Sequence, residues 1–144
     1  MEIHYYLDLF MPCIDQVFLL CQNKDGIPTN AIFIFHKFMK KLKDDLNEGD
    51  RLIVCFDTGK KTFRSKLLDQ YKQQRKPIEP ELKVQIPISR EMLDAMNISH
   101  CELEGYEADD LAGSLAKYAE KLGDKVDLYT SCLLYTSDAA DDLT

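Results

Sequence analysis

Leu52-Ile53-Val54-Cys55-Phe56-Asp57-Thr58-Gly59 is the stretch whose reading decides the fold. Its apolar run is too short for a fully buried helix and has no polar alternation, so it predicts a strand covered on both faces. Asp57-Thr58-Gly59 closes the run with a turn signal. Upstream, Ile32, Phe35, Met39, Leu42 and Leu46 recur three and four apart and predict a helix over 31–46, with Thr29 or Asn30 as its cap. Downstream, Leu82, Ile86, Leu93 and Met96 mark a second core-facing helix that Pro87 must kink or divide. A strand over 98–103, a helix over 109–122 stopped by Gly123, and a strand over 126–130 complete the alternation. The apolar line of the late helix reads as Leu111, Leu115, Ala119 and Leu122. Alternation with long crossovers defines an α/β fold with a parallel sheet flanked by helices. In such sheets chemistry collects beyond the carboxyl ends of the strands, where Asp57 and the acids at 107–110 both fall.

The 144 residues suffice for one domain with a core, or one domain and a frayed end. A composition 45% hydrophobic and 30% charged excludes a disordered chain or a fibre. No apolar run approaches a membrane span, and the first residues lack the layout of a secretory signal. Five cysteines, an odd number with no C-x-x-C pair, support neither a disulfide framework nor a zinc site; the expectation is reduced thiols and a cytoplasmic chain. His4, His36 and His100 are scattered. Without a Gly-x-Ser-x-Gly elbow, a P-loop or a Rossmann glycine triplet, serine hydrolases, NTPases and dinucleotide enzymes are excluded.

The net charge of −7 conceals a division. Lys60, Lys61, Arg64, Lys66, Lys72, Arg75 and Lys76 face Asp69 alone between positions 60 and 76, whereas acids crowd into Glu102-Leu103-Glu104-Gly105-Tyr106-Glu107-Ala108-Asp109-Asp110. Cations interleaved with Phe63 and Tyr71 suit nucleic acid, phosphates pairing with the charges and an unpaired base stacking on a ring. Lys72 and Arg75 share a face if that segment is helical. Glu107 and Asp110 share one face of the helix they open, with Asp109 about a hundred degrees round. Unit charges about 4 Å apart repel by about 4 kcal/mol at an effective dielectric near 20, and a helix N-terminus returns only about 0.3–1 kcal/mol per anion. Raised pKa values, solvent or divalent cations can meet the difference. Each signal also has an ordinary reading: an acidic helix start and a basic run are common solvated surfaces. Their coexistence in one small acidic domain points to a polyanion held near a metal pocket. Asp57 reads equally as a turn-starting Asp or as part of that pocket.

Taken in order, Asp25-Gly26-Ile27-Pro28-Thr29-Asn30-Ala31, Phe56-Asp57, Lys61-Thr62-Phe63-Arg64, Tyr71-Lys72-Gln73-Gln74-Arg75, Gln85-Ile86-Pro87 and Glu104-Gly105-Tyr106-Glu107-Ala108-Asp109-Asp110 resemble the 5′-nuclease domain of bacterial DNA polymerase I and its standalone flap-endonuclease and exonuclease relatives. The resemblance spans 25–131. It implies a PIN-like fold that cleaves DNA phosphodiesters 5′→3′ with two divalent ions, Mg²⁺ or Mn²⁺. It implies that Glu107, Asp109 and Asp110 hold the metals and that Asp57 lines their pocket. It implies further that Arg64, Tyr71, Lys72 and Arg75 lie on a helical arch over single-stranded 5′ ends, with Lys72 and Arg75 near the scissile phosphate. Lys60 and Lys61 extend the DNA contact. DNA ends, flaps and nicks are the expected partners, with no membrane.

Two departures from the family pattern stand out. The Asp-Gly-Asn-like motif that ends the family's first strand, and the arginine beyond it, are missing; whether Asp8 replaces that acid is open. A shifted frame across Met11–Phe18 can encode a Tyr-Arg-Ser segment, so 1–24 is read as a degraded or frameshifted first-strand region. At the other end, Cys132-Leu133-Leu134 stands where the family carries an Asp-x-Asp pair. Residues 132–144 are read as an adapter-derived tail outside the fold, truncating the domain before its later strands and DNA-clamp helices. With half the ligand set absent, weak or no turnover is expected of this chain. The alternatives are a non-catalytic nucleic-acid-binding fragment and, more remotely, a phospho-acceptor signalling domain.

Overall fold

Along β2 (Arg51–Cys55) and the residue after it, Leu52, Val54 and Phe56 enter one core while Ile53 and Cys55 enter another. The apolar run is therefore a strand buried on both faces, as its composition requires. In the computed structural model, residues 2–7, 22–58, 60–67, 80–129 and 134–136 are described. β1 (Glu2–Leu7) lies at the centre of the sheet, parallel to β2 on one side and to β4 (Lys125–Tyr129) on the other. β3 (Ser99–Cys101) continues the parallel set beyond β2, β5 (Leu134–Thr136) lies beyond β4, and the order is β3-β2-β1-β4-β5.

The chain winds from β1 through β2 to β3, then returns across β1 to β4. A right-handed crossover lies on one face when it moves one way along a sheet and on the opposite face when it moves back. The helices obey this. α1 (Asn30–Asp44) and α4 (Gln85–Ala95) pack together against Leu52, Val54 and Phe56, whereas α5 (Ala108–Lys121) packs on the other side against Cys55 and Val126. The fold class is thus α/β with helices on both faces of a sheet whose strands β1 to β4 run parallel, in agreement with the sequence reading.

Several details depart from that reading. α1 begins after Thr29, whose side chain makes no capping bond. Instead the buried Gln85 accepts the Ile32 amide at 3.1 Å through Oε1, and its Nε2 donates to Asn30 Oδ1 and to the Glu81 carbonyl, each at 2.9 Å. A free amide of the first turn is satisfied from another helix. Pro87 divides rather than kinks: α3 (Pro80–Lys83) stops at Val84, and Pro87 falls in the first turn of α4, where a missing N–H costs nothing. α5 buries Ala108, Ala112, Ala116 and Ala119; Leu111 and Leu115 flank that line and Leu122 is exposed. Small side chains let this helix lie close to the sheet. Gly123, at φ +87°, ends α5 with its amide on the Glu120 carbonyl and the Asp124 amide on the Ala119 carbonyl, the double bond of a left-handed stop.

Two further strands come from the terminal regions. Of 1–24, β1 is a full strand in the sheet; Asp8 lies outside the described residues. β5 (Leu134–Thr136), within the tail excluded from the fold on its sequence, pairs antiparallel with β4. Its backbone supplies the hydrogen bonds that an unpaired sheet edge lacks, a demand that any extended segment can meet.

Candidate active site at the start of α5

The loop after β3 turns through Gly105, at φ +90°, and delivers Glu107 as the residue before α5. Asp110 reaches back to accept the Glu107 backbone N–H at 3.1 Å, the reciprocal half of a capping box. Asp57, carried by the carboxyl end of β2, accepts the Ala108 N–H at 2.6 Å through Oδ1. The end of β2 is thereby tied to the helix start that follows β3. Free amides and the positive end of the helix dipole favour these anions there.

The remaining charge is met by Arg64, on α2 (Phe63–Leu67). Its Nη1 and Nη2 donate to the two oxygens of Asp110 at 2.6 Å each, and Nη1 lies 3.6 Å from Glu107 Oε2. Bidentate guanidinium–carboxylate pairs are the strongest of the charge-assisted bonds. The Glu107 side chain is 9% exposed and that of Asp110 21%, so solvent screens this cluster less than an open surface pair.

Three of the expected site residues, Asp57, Glu107 and Asp110, are thus brought together, with Arg64 against them. Asp109 is exposed, a position round the helix. Lys60 pairs with Glu104 at 3.1 Å, both largely in solvent, and Lys61 is exposed. Tyr71, Lys72 and Arg75 lie outside the described residues. Among the described residues no group of three His, Cys, Asp or Glu side chains is disposed to hold an ion as it stands; Arg64 engages both oxygens of Asp110, and the Ala108 amide engages Asp57. The donor chemistry nonetheless fits a hard divalent cation, every candidate ligand being a carboxylate. A positive charge already sits against the acids in the form of Arg64.

The sequence reading gave no role to two groups. Gln85 holds α1, as described above. Arg90 donates to Glu102 Oε2 at 2.6 Å and lies 5.0 Å over the Phe56 ring, packing the residue before Asp57 from the other face. Only a polar residue recurring at a core-facing helical position could have signalled the first. Beside Asp57, Cys55 and Cys101 face each other across β2 and β3 with Sγ atoms 3.6 Å apart, both free thiols; burial pushes the Cys55 thiol well above its ordinary range. No helix of the described residues is long and apolar enough to cross a membrane.

An α/β sheet thus gathers carboxylates and a guanidinium beyond the ends of β2 and β3, the edge where chemistry collects in such sheets. Comparison with known proteins makes this specific. The family model of the 5′-3′ exonuclease N-terminal resolvase-like domain matches residues 10–138. DNA polymerase I of Bacillus subtilis is 42% identical over 125 residues, 87% of this chain and 14% of that protein. DNA polymerase I of Bacillus caldotenax is 43% identical over 107 residues, 74% of the chain and 12% of that protein. That of Lactococcus lactis is 41% identical over 96 residues, 67% of the chain and 11% of the relative. The chain belongs to the 5′-3′ exonuclease N-terminal resolvase-like domain family. It spans only about an eighth of the length of these relatives. Family membership sets aside the phospho-acceptor alternative.

Proposed function

We propose that this domain hydrolyses DNA phosphodiesters at 5′ ends, as a 5′→3′ exonuclease and flap endonuclease dependent on Mg²⁺ or Mn²⁺, in the cytoplasm. The observation that most supports this reading is the convergence of Asp57, Glu107 and Asp110 on the first turn of α5, with Arg64 against them. Glu107, Asp109 and Asp110 are the residues assigned to hold the metals, with Asp57 lining the pocket. A bound ion pair would supply an activated water and stabilise the leaving oxygen. The chain's own groups do the rest. The α5 start orients the acids through its amides; Arg64, Lys60 and Lys61 neutralise backbone phosphates. Tyr71, Lys72 and Arg75 are assigned to hold the single-stranded 5′ end, Lys72 and Arg75 balancing charge at the scissile phosphate.

The test uses a 5′-flap duplex with the purified chain in Mg²⁺ and in EDTA, beside the double variant Glu107→Ala/Asp110→Ala. Any cleavage is expected to be slow, to vanish in EDTA and to vanish in the variant. Robust cleavage contradicts the expected weakness of this chain; equal cleavage by the variant contradicts the site.

A second reading, a non-catalytic DNA-binding fragment, draws on the engagement of Asp110 by Arg64 and on Cys132-Leu133-Leu134 standing where the family's second acid pair belongs. Binding that falls with salt, persists in EDTA and weakens in Lys72→Ala, with no cleavage in Mg²⁺, favours it.

A further inference from the structure

Beside the acids lies a pair of rings that the proposed metal site does not use. The rings of Phe63 and Tyr106 stand 5.8 Å apart, tilted at 55°, and remain 38% and 47% exposed. The Phe63 amide donates to the Gly105 carbonyl at 2.9 Å, so main chain fixes the start of α2 against the loop that opens α5. The guanidinium of Arg64 lies 4.6 Å over the Phe63 ring while its tips hold Asp110. The ledge therefore borders the acid cluster directly. One turn on from Phe63, Leu67 is 77% exposed, and Leu103 is 50% exposed. Lys60, Lys61 and Lys66, all exposed, lie within three residues of Phe63 in the chain.

Two aromatic rings left half in water forgo much of the gain of burial. Held by backbone, with Arg64 against Phe63 and Lys61 and Lys66 close by in the chain, they present flat π-surfaces beside cationic groups, the combination that takes up single strands without regard to sequence. A duplex hides the faces of its bases; an unpaired strand does not.

Resting on the reading of this chain as a DNA-end nuclease, we propose that Phe63 and Tyr106 form a stacking ledge for an unpaired nucleobase of the 5′ strand, placing the phosphate next to that base near Arg64 and the acids. The exposed Lys61 and Lys66 favour this occupant over an apolar protein segment, which would offer them no anion.

The test is equilibrium binding in EDTA, followed by fluorescence anisotropy. The full chain and its variants are titrated against a 5′-flap oligonucleotide and the same oligonucleotide with abasic positions throughout the flap. Phe63→Leu/Tyr106→Leu is expected to bind the intact flap about tenfold more weakly than the parent, the scale of one lost stack, and the abasic flap with parental affinity. Lys61→Gln is expected to weaken both flaps alike. Equal loss on the two flaps, or none on either, overturns the ledge while leaving the DNA reading standing. Failure of the parent to bind either flap overturns the DNA reading and the ledge with it. Tyr106→Leu alone keeps the Phe63 ring and supplies the same comparison if the double variant does not fold by circular dichroism.

Discussion

The two faces of the sheet are built differently. Under α1 and α4 the core is large side chains, Phe35, Met39, Leu52, Leu93 and Ile98, interlocked between two helices and a strand. Under α5 it is alanine, Ala108, Ala112, Ala116 and Ala119, against Cys55 and Val126. The first face supplies bulk apolar burial. The second brings one helix close to the strand ends, so that its first turn can meet Asp57. One side of the sheet supplies bulk and the other sets the start of α5 against Asp57.

Substitutions can break that contrast in order of size. Phe35→Ala, in the bulky face, is expected to cost about 3–5 kcal/mol in denaturant unfolding, enough to unfold a marginal domain. Gln85→Ala strips α1 of its borrowed cap and should cost about 1–3 kcal/mol, because a polar contact is lost where water does not reach; a cost below 0.5 kcal/mol would show that the cap contributes little. On the other face, Asp57→Ala should cost about 1 kcal/mol, while Asp57→Asn, which keeps an acceptor for the Ala108 amide, should cost less than half of that. If Asn destabilises as much as Ala, charge rather than the hydrogen bond ties β2 to α5. The smallest effect is chemical. Iodoacetamide applied to the native protein at pH 8 should label Cys101 well ahead of Cys55, whose buried thiol ionises poorly; mass mapping of the two peptides checks the order.

What could be read from sequence was what local chemistry controls. The unbroken apolar run at 52–56 reported a doubly covered strand, Gly123 reported a helix end, and the acids at 107–110 reported a charged helix start near a strand terminus. What could not be read depends on segments far apart in the chain. Gln85 caps a helix whose sequence offered Thr29 or Asn30 at the same place, because the choice among them is made by how α4 docks on α1. Leucines were the natural guess for the buried line of α5, yet closeness to the sheet selects alanines and leaves Leu122 in solvent. Arg64 was legible as a cation for DNA but not as the partner of Asp110, an interaction across 46 residues. Leu134–Thr136 could join the sheet because backbone pairing at an edge demands little of side chains.

The most direct measurement of the central claim is a Mn²⁺ titration, followed by electron paramagnetic resonance, of the parent chain and of Glu107→Gln/Asp110→Asn. The expected result is at least tenfold weaker binding in the double variant, with its circular dichroism unchanged. Identical affinities, or no Mn²⁺ bound by the parent at millimolar concentrations, would contradict the assignment of the α5 entrance as an ion-dependent site.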